Sequence, residues 1–444
     1  MKLKKAYVLR FLCALVAFCT AVALLSGCYI TDSADWARRT IQQNYYRFDG
    51  DYSSLENLEG LTIEEMVQKL DIYSAYYTRE QYAAVYAENA GSKSGIGISY
   101  SYVEGKGVVL YSVVGNSPAK KVGLKAGDVI VSASAGGESV QFTDKDAFTD
   151  FAKARVTGEE FTLNLEDGRS VTLAKTEYTA SYASMYLNDC SYEIEYYDGT
   201  YKVQPYPGGI PQLPEGTAYM YLSQFYGNAA NEIGELIAVF NDRGCNSLIL
   251  DLRDNGGGYV DVMAKIGGLF TTKSLDSAAV AMVAKYKSGK EYTEYCPYYK
   301  DEINEKMLLP AGTSVYVMAN VNTASASEAL VGVLVSYNIL KYENIFLSEY
   351  KDLEARSYGK GIMQSTFENR TTGEVLKLTV AGIYWANGQT IHGKGLTATH
   401  LSDDPAAPDK CSVAPASDTI VNVGYDDELK PVIDKIIADR TPQN

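Results

Sequence analysis

Three short segments of this chain carry residue types that can do chemistry together. The first is NTASASE, Asn322 to Glu328, set between an apolar strand and an apolar helix. A serine at a helix start sits where backbone N–H groups lack partners and the helix dipole favours developing negative charge. Ser325 there suits a nucleophile whose attack creates an oxyanion, with the Ala326 N–H as one donor to it. The spacing of Ser325 and Glu328 is equally that of a capping box, a structural device contributing about 1 kcal/mol. Both readings stand on this segment alone.

A serine nucleophile needs a base. The chain has two histidines, His392 and His400, and neither sits in a setting that supports a Ser-His-Asp triad. Lysine can serve when desolvation disfavours its ammonium form. The second segment, SYGKGIMQ from Ser357 to Gln364, offers Lys360 between Gly359 and Gly361, glycines that let the backbone come close to another segment. The third is LDLRDNGGGY, Leu250 to Tyr259, an apolar strand running into three glycines and then a helix. Its exposed N–H groups lie at the C-terminal end of a strand, where ligands bind in open α/β sheets. A phosphate cradle would want a P-loop lysine, which is missing. A second oxyanion donor from Gly257 or Gly258 fits better.

The elements that must position these residues alternate from about residue 177, which indicates an α/β unit. Strands are expected at Ala218–Leu222, Ser247–Leu252 and Val315–Met318, and helices at Ala229–Phe240, Val260–Phe270 and Ser325–Val335. Pro205 to Gly216 reads as a loop, and a last helix begins near Asp427. Upstream, residues 31 to 90 read as helical. Thr62 with Glu65 has capping-box spacing before the stripe Ile63, Met66, Val67 and Leu70, and Thr78 with Gln81 repeats it.

Residues 91–176 form another unit. Gly95-Ile96-Gly97-Ile98 opens a strand-like run, Gly107 to Val114 gives a second, and Asp144 to Arg155 suits a helix. The segment SPAKKVGLKAGDVI, Ser117 to Ile130, combines a Ser-Pro helix start, a glycine stop and a Gly-Asp turn before an apolar strand. This order resembles a PDZ domain of the type found in bacterial proteases. Such domains add an extended peptide to a sheet edge and capture a terminal carboxylate on backbone N–H groups. The resemblance assigns that capture to Gly95, Ile96, Gly97 and Ile98; a module that only packs on its neighbour is the alternative.

The first 27 residues read as a targeting leader: Lys2, Lys4, Lys5 and Arg10, an apolar run from Phe11 to Leu25, then Leu25-Ser26-Gly27-Cys28. The pattern resembles a bacterial lipobox, which implies a lipid on Cys28 and a protein anchored to a membrane, facing the periplasm or cell exterior. An ordinary secretory signal or a membrane anchor is the alternative. The formal net charge is -15, and losing the leader's four cations makes the rest more acidic still. Such a surface argues against nucleic acid as a partner. Cys190, Cys245, Cys296 and Cys411 are widely spaced with no CxxC pair, so no zinc pattern exists.

Leader, helical lead-in, PDZ-like unit, then DLRDNGGG, TASASE and YGKG in that order resemble the carboxyl-terminal processing proteases, also called tail-specific proteases. LDIYSAYYT, Leu70 to Thr78, and YLSQF, Tyr221 to Phe225, add to the resemblance. It implies a leader over 1–27, a helical region over 28–90, a PDZ domain over 91–176 and a crotonase/ClpP-like α/β protease core over 177–444. It further implies Ser325 as nucleophile, Lys360 as general base, Gln364 orienting that base, and an oxyanion hole from Ala326, Gly257 and Gly258. No metal or organic cofactor is expected, and the substrates implied are proteins or peptides with accessible C-termini. Two features depart from the family. Gly256 stands where an Asn-Pro-Gly-Gly turn has proline, and the span from Ser325 to Lys360 is long, with extra residues around Lys341 to Glu354. The rival reading is a lipid-anchored peptide-binding protein whose core has lost activity.

Overall fold

The structure is a computed structural model that describes residues 32–197, 200–299, 303–349, 355–399, 410–414 and 426–441. The leader, Cys28 and His400 lie outside the described residues. The chain divides into two compact units, one of residues 1–83 with 364–381, the other of 84–363 with 382–444.

In the first unit the helix Ser33–Asn44 starts on Asp32, whose carboxylate accepts the Ala34 N–H at 3.2 Å. Its buried residues Ala37, Thr40 and Ile41 recur at helical spacing. The capping box of Thr62 and Glu65 forms in both directions, at 2.8 and 3.2 Å. The helix it opens is short, Ile63–Val67, so Leu70 of the expected stripe falls beyond its end. The strand Ala75–Tyr77 pairs antiparallel with residues 375–377. Drawing 364–381 into the N-terminal unit is a long-range pairing that no local pattern announces.

The two largest sheets of the second unit have separate cores. The smaller is antiparallel, in the order Ile98–Val103, Gly107–Val113, Val129–Ala135, Glu160–Leu165, Ser170–Ala174. Its core is built on Leu110, Ile130 and Leu163 with Phe142, Phe148, Phe151 and Phe161. Neighbouring rings in that set meet edge to face at 5.1 to 6.0 Å. The helix here is Ala147–Ala154, shorter than the run from Asp144 to Arg155, because the Asp144 carboxylate accepts the Asp146 and Ala147 N–H groups, each at 2.9 Å. A separate ladder pairs Ser92–Gly95 with Thr176–Thr179, so the segment's entry and exit run side by side.

The larger sheet has eight strands in the order Thr200–Pro207, Cys190–Tyr197, Ala183–Tyr186, Thr217–Leu222, Ser247–Asp251, Ser314–Ala319, Ile345–Ser348, Ser412–Ala414. From Thr217–Leu222 onward the pairings are parallel. Alternate residues point to opposite faces. Ala218, Met220, Leu248, Leu250, Val315 and Val317 pack with the helices Ala229–Asp242, Val260–Thr271 and Ala326–Ser336. Tyr219, Ile249, Tyr316 and Met318 pack with the last helix, Leu429–Arg440, through Leu429, Val432, Ile433 and Ile436. Coverage on both faces explains why these strands read as continuous apolar runs. The expected loop from Pro205 begins three residues late: Pro205 to Pro207 end the strand Thr200–Pro207. That strand is the sheet's edge, where a missing N–H costs no ladder bond.

Candidate active site

Two of the three chemical segments meet at the C-terminal ends of adjacent parallel strands, next to the turn after Thr217–Leu222, and the third is held to them, the Tyr358 N–H donating to Thr323 O at 3.0 Å. Residues 223–228 follow Thr217–Leu222, residues 252–259 follow Ser247–Asp251, and residues 320–325 follow Ser314–Ala319. A dense set of hydrogen bonds fixes the last two turns against each other. Asp254 Oδ1 accepts the side-chain amides of Asn320 and Asn322 at 2.9 and 2.8 Å. Thr323 Oγ1 donates to Leu252 O at 2.8 Å, and Ala324 N–H to Asn255 O at 3.0 Å. Phe225 brings in the first turn: its N–H donates to Gly257 O at 3.0 Å, and its carbonyl accepts the Tyr259 N–H at 2.9 Å.

Ser325 is half-buried and caps the helix Ala326–Ser336 with φ 60° and ψ −115°. A non-glycine residue held at positive φ costs about 1–3 kcal/mol and persists only where its surroundings impose it. Here the neighbour is Gly257: a Cβ on it would lie 2.8 Å from Ala324 O and 2.9 Å from both Ala326 N and Ser325 Cβ. The glycine turn therefore presses directly on the serine. Gly258, at φ +151°, admits the Phe225 carbonyl, which a Cβ would meet at 2.4 Å. The other serine of SASE behaves differently. Ser327 is fully buried, and its hydroxyl donates to Asn255 O at 2.9 Å, a structural bond that leaves Ser325 as the partly exposed serine of the two.

Of the expected oxyanion donors, one is corrected. The Gly257 N–H donates to the side-chain oxygen of its neighbour Asn255 at 2.9 Å, closing a local turn. Asn255 is itself held by Leu222 O at 2.8 Å. Ala326 and Gly258 remain the candidates for that role. A Cβ at Gly256, which stands where the family pattern has proline, would meet no atom within 4 Å, so the position is open rather than tightly packed.

Lys360 is half-buried, and the glycines beside it are there for close approach. A Cβ on Gly359 would lie 2.8 Å from Gly395 N, and one on Gly361 2.9 Å from both His392 N and His392 Cβ. What joins Lys360 to Ser325 is Glu328, a residue read from sequence only as a capping partner. Its carboxylate is fully buried. Oε2 accepts the Ser325 N–H and the Lys360 N–H, each at 2.9 Å. Those two amide nitrogens are thus no farther apart than twice that length. Oε1 accepts the Ser357 hydroxyl at 2.5 Å and the Gly359 N–H at 2.7 Å. Burial raises the Glu328 carboxyl above its ordinary range, against the four donors, which pull it down.

Gln364 falls in the first unit, where its amide nitrogen donates to Thr379 Oγ1 at 3.1 Å. Gly95 to Ile98 lie at the start of the smaller sheet, around positive-φ glycines at 95 and 97.

A further cluster lies beneath the glycine turn and was not legible in sequence. Arg253 is fully buried, with Asp251 at 2.7 Å, Asp426 at 2.7 Å and Glu428 at 2.8 Å. It ties the strand that leads into the turn to the start of the C-terminal helix. The span from Ser325 to Lys360 contains the strand Ile345–Ser348 of the large sheet; residues 350–354 lie outside the described residues. Among the described residues no His, Cys, Asp and Glu cluster has metal-binding geometry, the four cysteines are free thiols, and no helix is long and apolar enough to cross a membrane.

Residues 216–401 match the profile of peptidase family S41. A probable CtpA-like serine protease of Staphylococcus saprophyticus is 25% identical over 397 residues, 88% of this chain and 70% of that protein. Its counterpart in Staphylococcus aureus strain MRSA252 is 26% identical over 408 residues, 91% and 72% of the two chains. A putative S41 protease from Bacteroides fragilis shares the fold, with a TM-score of 0.55 at 15% identity over 92% of this chain and 98% of that one.

Proposed function

The chain belongs to peptidase family S41, the carboxyl-terminal processing proteases, and is a serine-type peptidase; from that premise we propose that it cleaves peptide bonds with Ser325 as nucleophile and Lys360 as base. The observation that carries this reading is the shared carboxylate of Glu328, which holds the backbone of both residues on one oxygen. In the reaction the uncharged Lys360 amine takes the Ser325 hydroxyl proton as Oγ attacks the scissile carbonyl. The oxyanion is held by the Ala326 N–H and the Gly258 end of the glycine turn. Collapse expels the amine, which takes the proton from the Lys360 ammonium and leaves an acyl-enzyme. Lys360 then deprotonates the water that releases the acyl group, and the proton returns to Ser325.

The segment 91–176 acts as a PDZ module that receives the substrate's C-terminal tail at Gly95 to Ile98. Its antiparallel sheet and paired ends support that role. Cys28 carries the lipid that tethers the exported protein to a bacterial membrane. Ser325→Ala and Lys360→Ala should each abolish cleavage of an unfolded protein substrate while circular dichroism and urea unfolding stay near those of the parent. Full turnover by Ser325→Ala refutes the assignment, and a parent that cleaves nothing and leaves a serine-reactive probe unattached favours the tethered peptide-binding protein.

A further inference from the structure

The sequence is rich in tyrosine, 37 residues against 12 phenylalanines, and the protease reading gives that excess no task. One of these tyrosines meets the loop that the module uses for tail capture. A cavity of about 940 Å³ opens between the smaller sheet and the larger one. Its module end is walled by Ile96, Leu124 and Phe148, which are buried apolar side chains, and its core end reaches Gln224 and Asp254. Asp254 is the acid that anchors Asn322, three residues before Ser325. Tyr178, on the strand Thr176–Thr179, lines the module end of the same cavity.

The Tyr178 hydroxyl lies against Gly97. A Cβ built on that glycine, at φ +78°, would come within 2.6 Å of the phenol oxygen and 2.3 Å of Ser117 Cβ. Any side chain at residue 97 would thus displace the hydroxyl. The ring packs against the main core and is half-buried. Burial, with Glu88 nearby, raises the phenol to about 12, which leaves it a neutral donor near neutral pH. Glu88, the acid that would oppose an incoming anion, is engaged by Lys93 at 2.8 Å.

We propose that the Tyr178 hydroxyl is a direct ligand of the substrate's terminal carboxylate, donating a hydrogen bond beside the Gly97 backbone while the last side chain rests on the apolar wall. This rests on the tail-capture reading above, and it names a residue outside the loop as part of the recognition. A neutral phenol donating to a carboxylate makes a charge-assisted bond, stronger than one to the amide of a blocked terminus.

The test uses the full chain carrying Ser325→Ala to prevent turnover, with two fluorescent peptides of one sequence ending in an apolar residue. One has a free carboxylate and the other a C-terminal amide. Fluorescence anisotropy should show the amide binding weakly to the parent. Tyr178→Phe, which keeps the ring and its packing, should weaken the carboxylate peptide by roughly tenfold and the amide peptide far less. If Tyr178→Phe binds the carboxylate peptide as the parent does while amidation still weakens it, Tyr178 is no ligand and tail capture stands. Equal losses on both peptides mean a packing role and overturn the proposal. If the parent does not distinguish the two peptides, tail capture itself fails.

Discussion

Replacing Glu328 with glutamine asks whether one buried carboxylate sets the reacting geometry. The side chain serves four donors with two oxygens, and glutamine keeps only one acceptor. With its oxygen toward Ser325 and Lys360, the amide group faces the Ser357 hydroxyl, which can rotate to accept, and the Gly359 N–H, which cannot. One buried donor is then stranded, at about 1–3 kcal/mol. The reverse orientation strands the Ser325 and Lys360 N–H groups together and is disfavoured. Part of the loss is offset, because the carboxylate is costly to bury and the amide is neutral. The fold should survive with a lower urea midpoint. The loop 357–360 must shift to relieve the stranded Gly359, and a misplacement on the order of 1 Å between reacting groups costs about 10²-fold in rate. Steady-state cleavage of an unfolded protein should therefore show kcat reduced by about two orders of magnitude with KM little altered. Ser357→Ala, which leaves both N–H groups on Oε2, should lose much less. A Glu328→Gln enzyme working at the parental kcat, or one whose whole defect lies in KM, would refute this account of Glu328 as a positioning residue.

Two further outcomes follow from buried charge elsewhere in the same unit. Glu232, on the helix Ala229–Asp242, accepts the Tyr182 and Ala183 N–H groups at 2.7 and 2.9 Å together with the Tyr196 hydroxyl, and burial raises it to about 7. The folded chain thus holds this proton more tightly than the unfolded one. Its contribution to stability is complete below the ordinary glutamate range and is lost as pH rises through about 7, by something on the order of 3 kcal/mol. Glu232→Gln, whose oxygen can keep both N–H groups while its amide donates to Tyr196, should flatten the urea-midpoint profile between pH 5 and 8; an unchanged slope contradicts this. Arg253→Met leaves Asp251, Asp426 and Glu428 facing one another without their cation, a loss of about 3–5 kcal/mol near neutrality. Burial already raises Asp426, so the deficit should shrink at pH 5 as carboxyls take up protons. A deficit that does not change with pH would show that packing, not charge, is what Arg253 supplies.

Sequence alone determined what is local. The Thr62–Glu65 box formed because its partners are three residues apart on one helix turn. The strand–turn–helix words around Gly257 and Ser325 were legible because glycine and capping chemistry act within a few residues. The glycines beside Lys360 correctly announced a close approach, without saying to what. Only the tertiary structure decided the partners. Glu328 looks in sequence like half of a cap; three of its four donors come from residues 357–360, and only the packing of that loop on the helix start delivers them. The Gly257 N–H turned back to Asn255, and Arg253 met acids from residues 426 and 428, choices set by sheet register and by which helix covers which face. Spacing along a chain reports neighbours one turn away, whereas a buried polar group takes whichever partner the fold brings within hydrogen-bond reach once water is excluded.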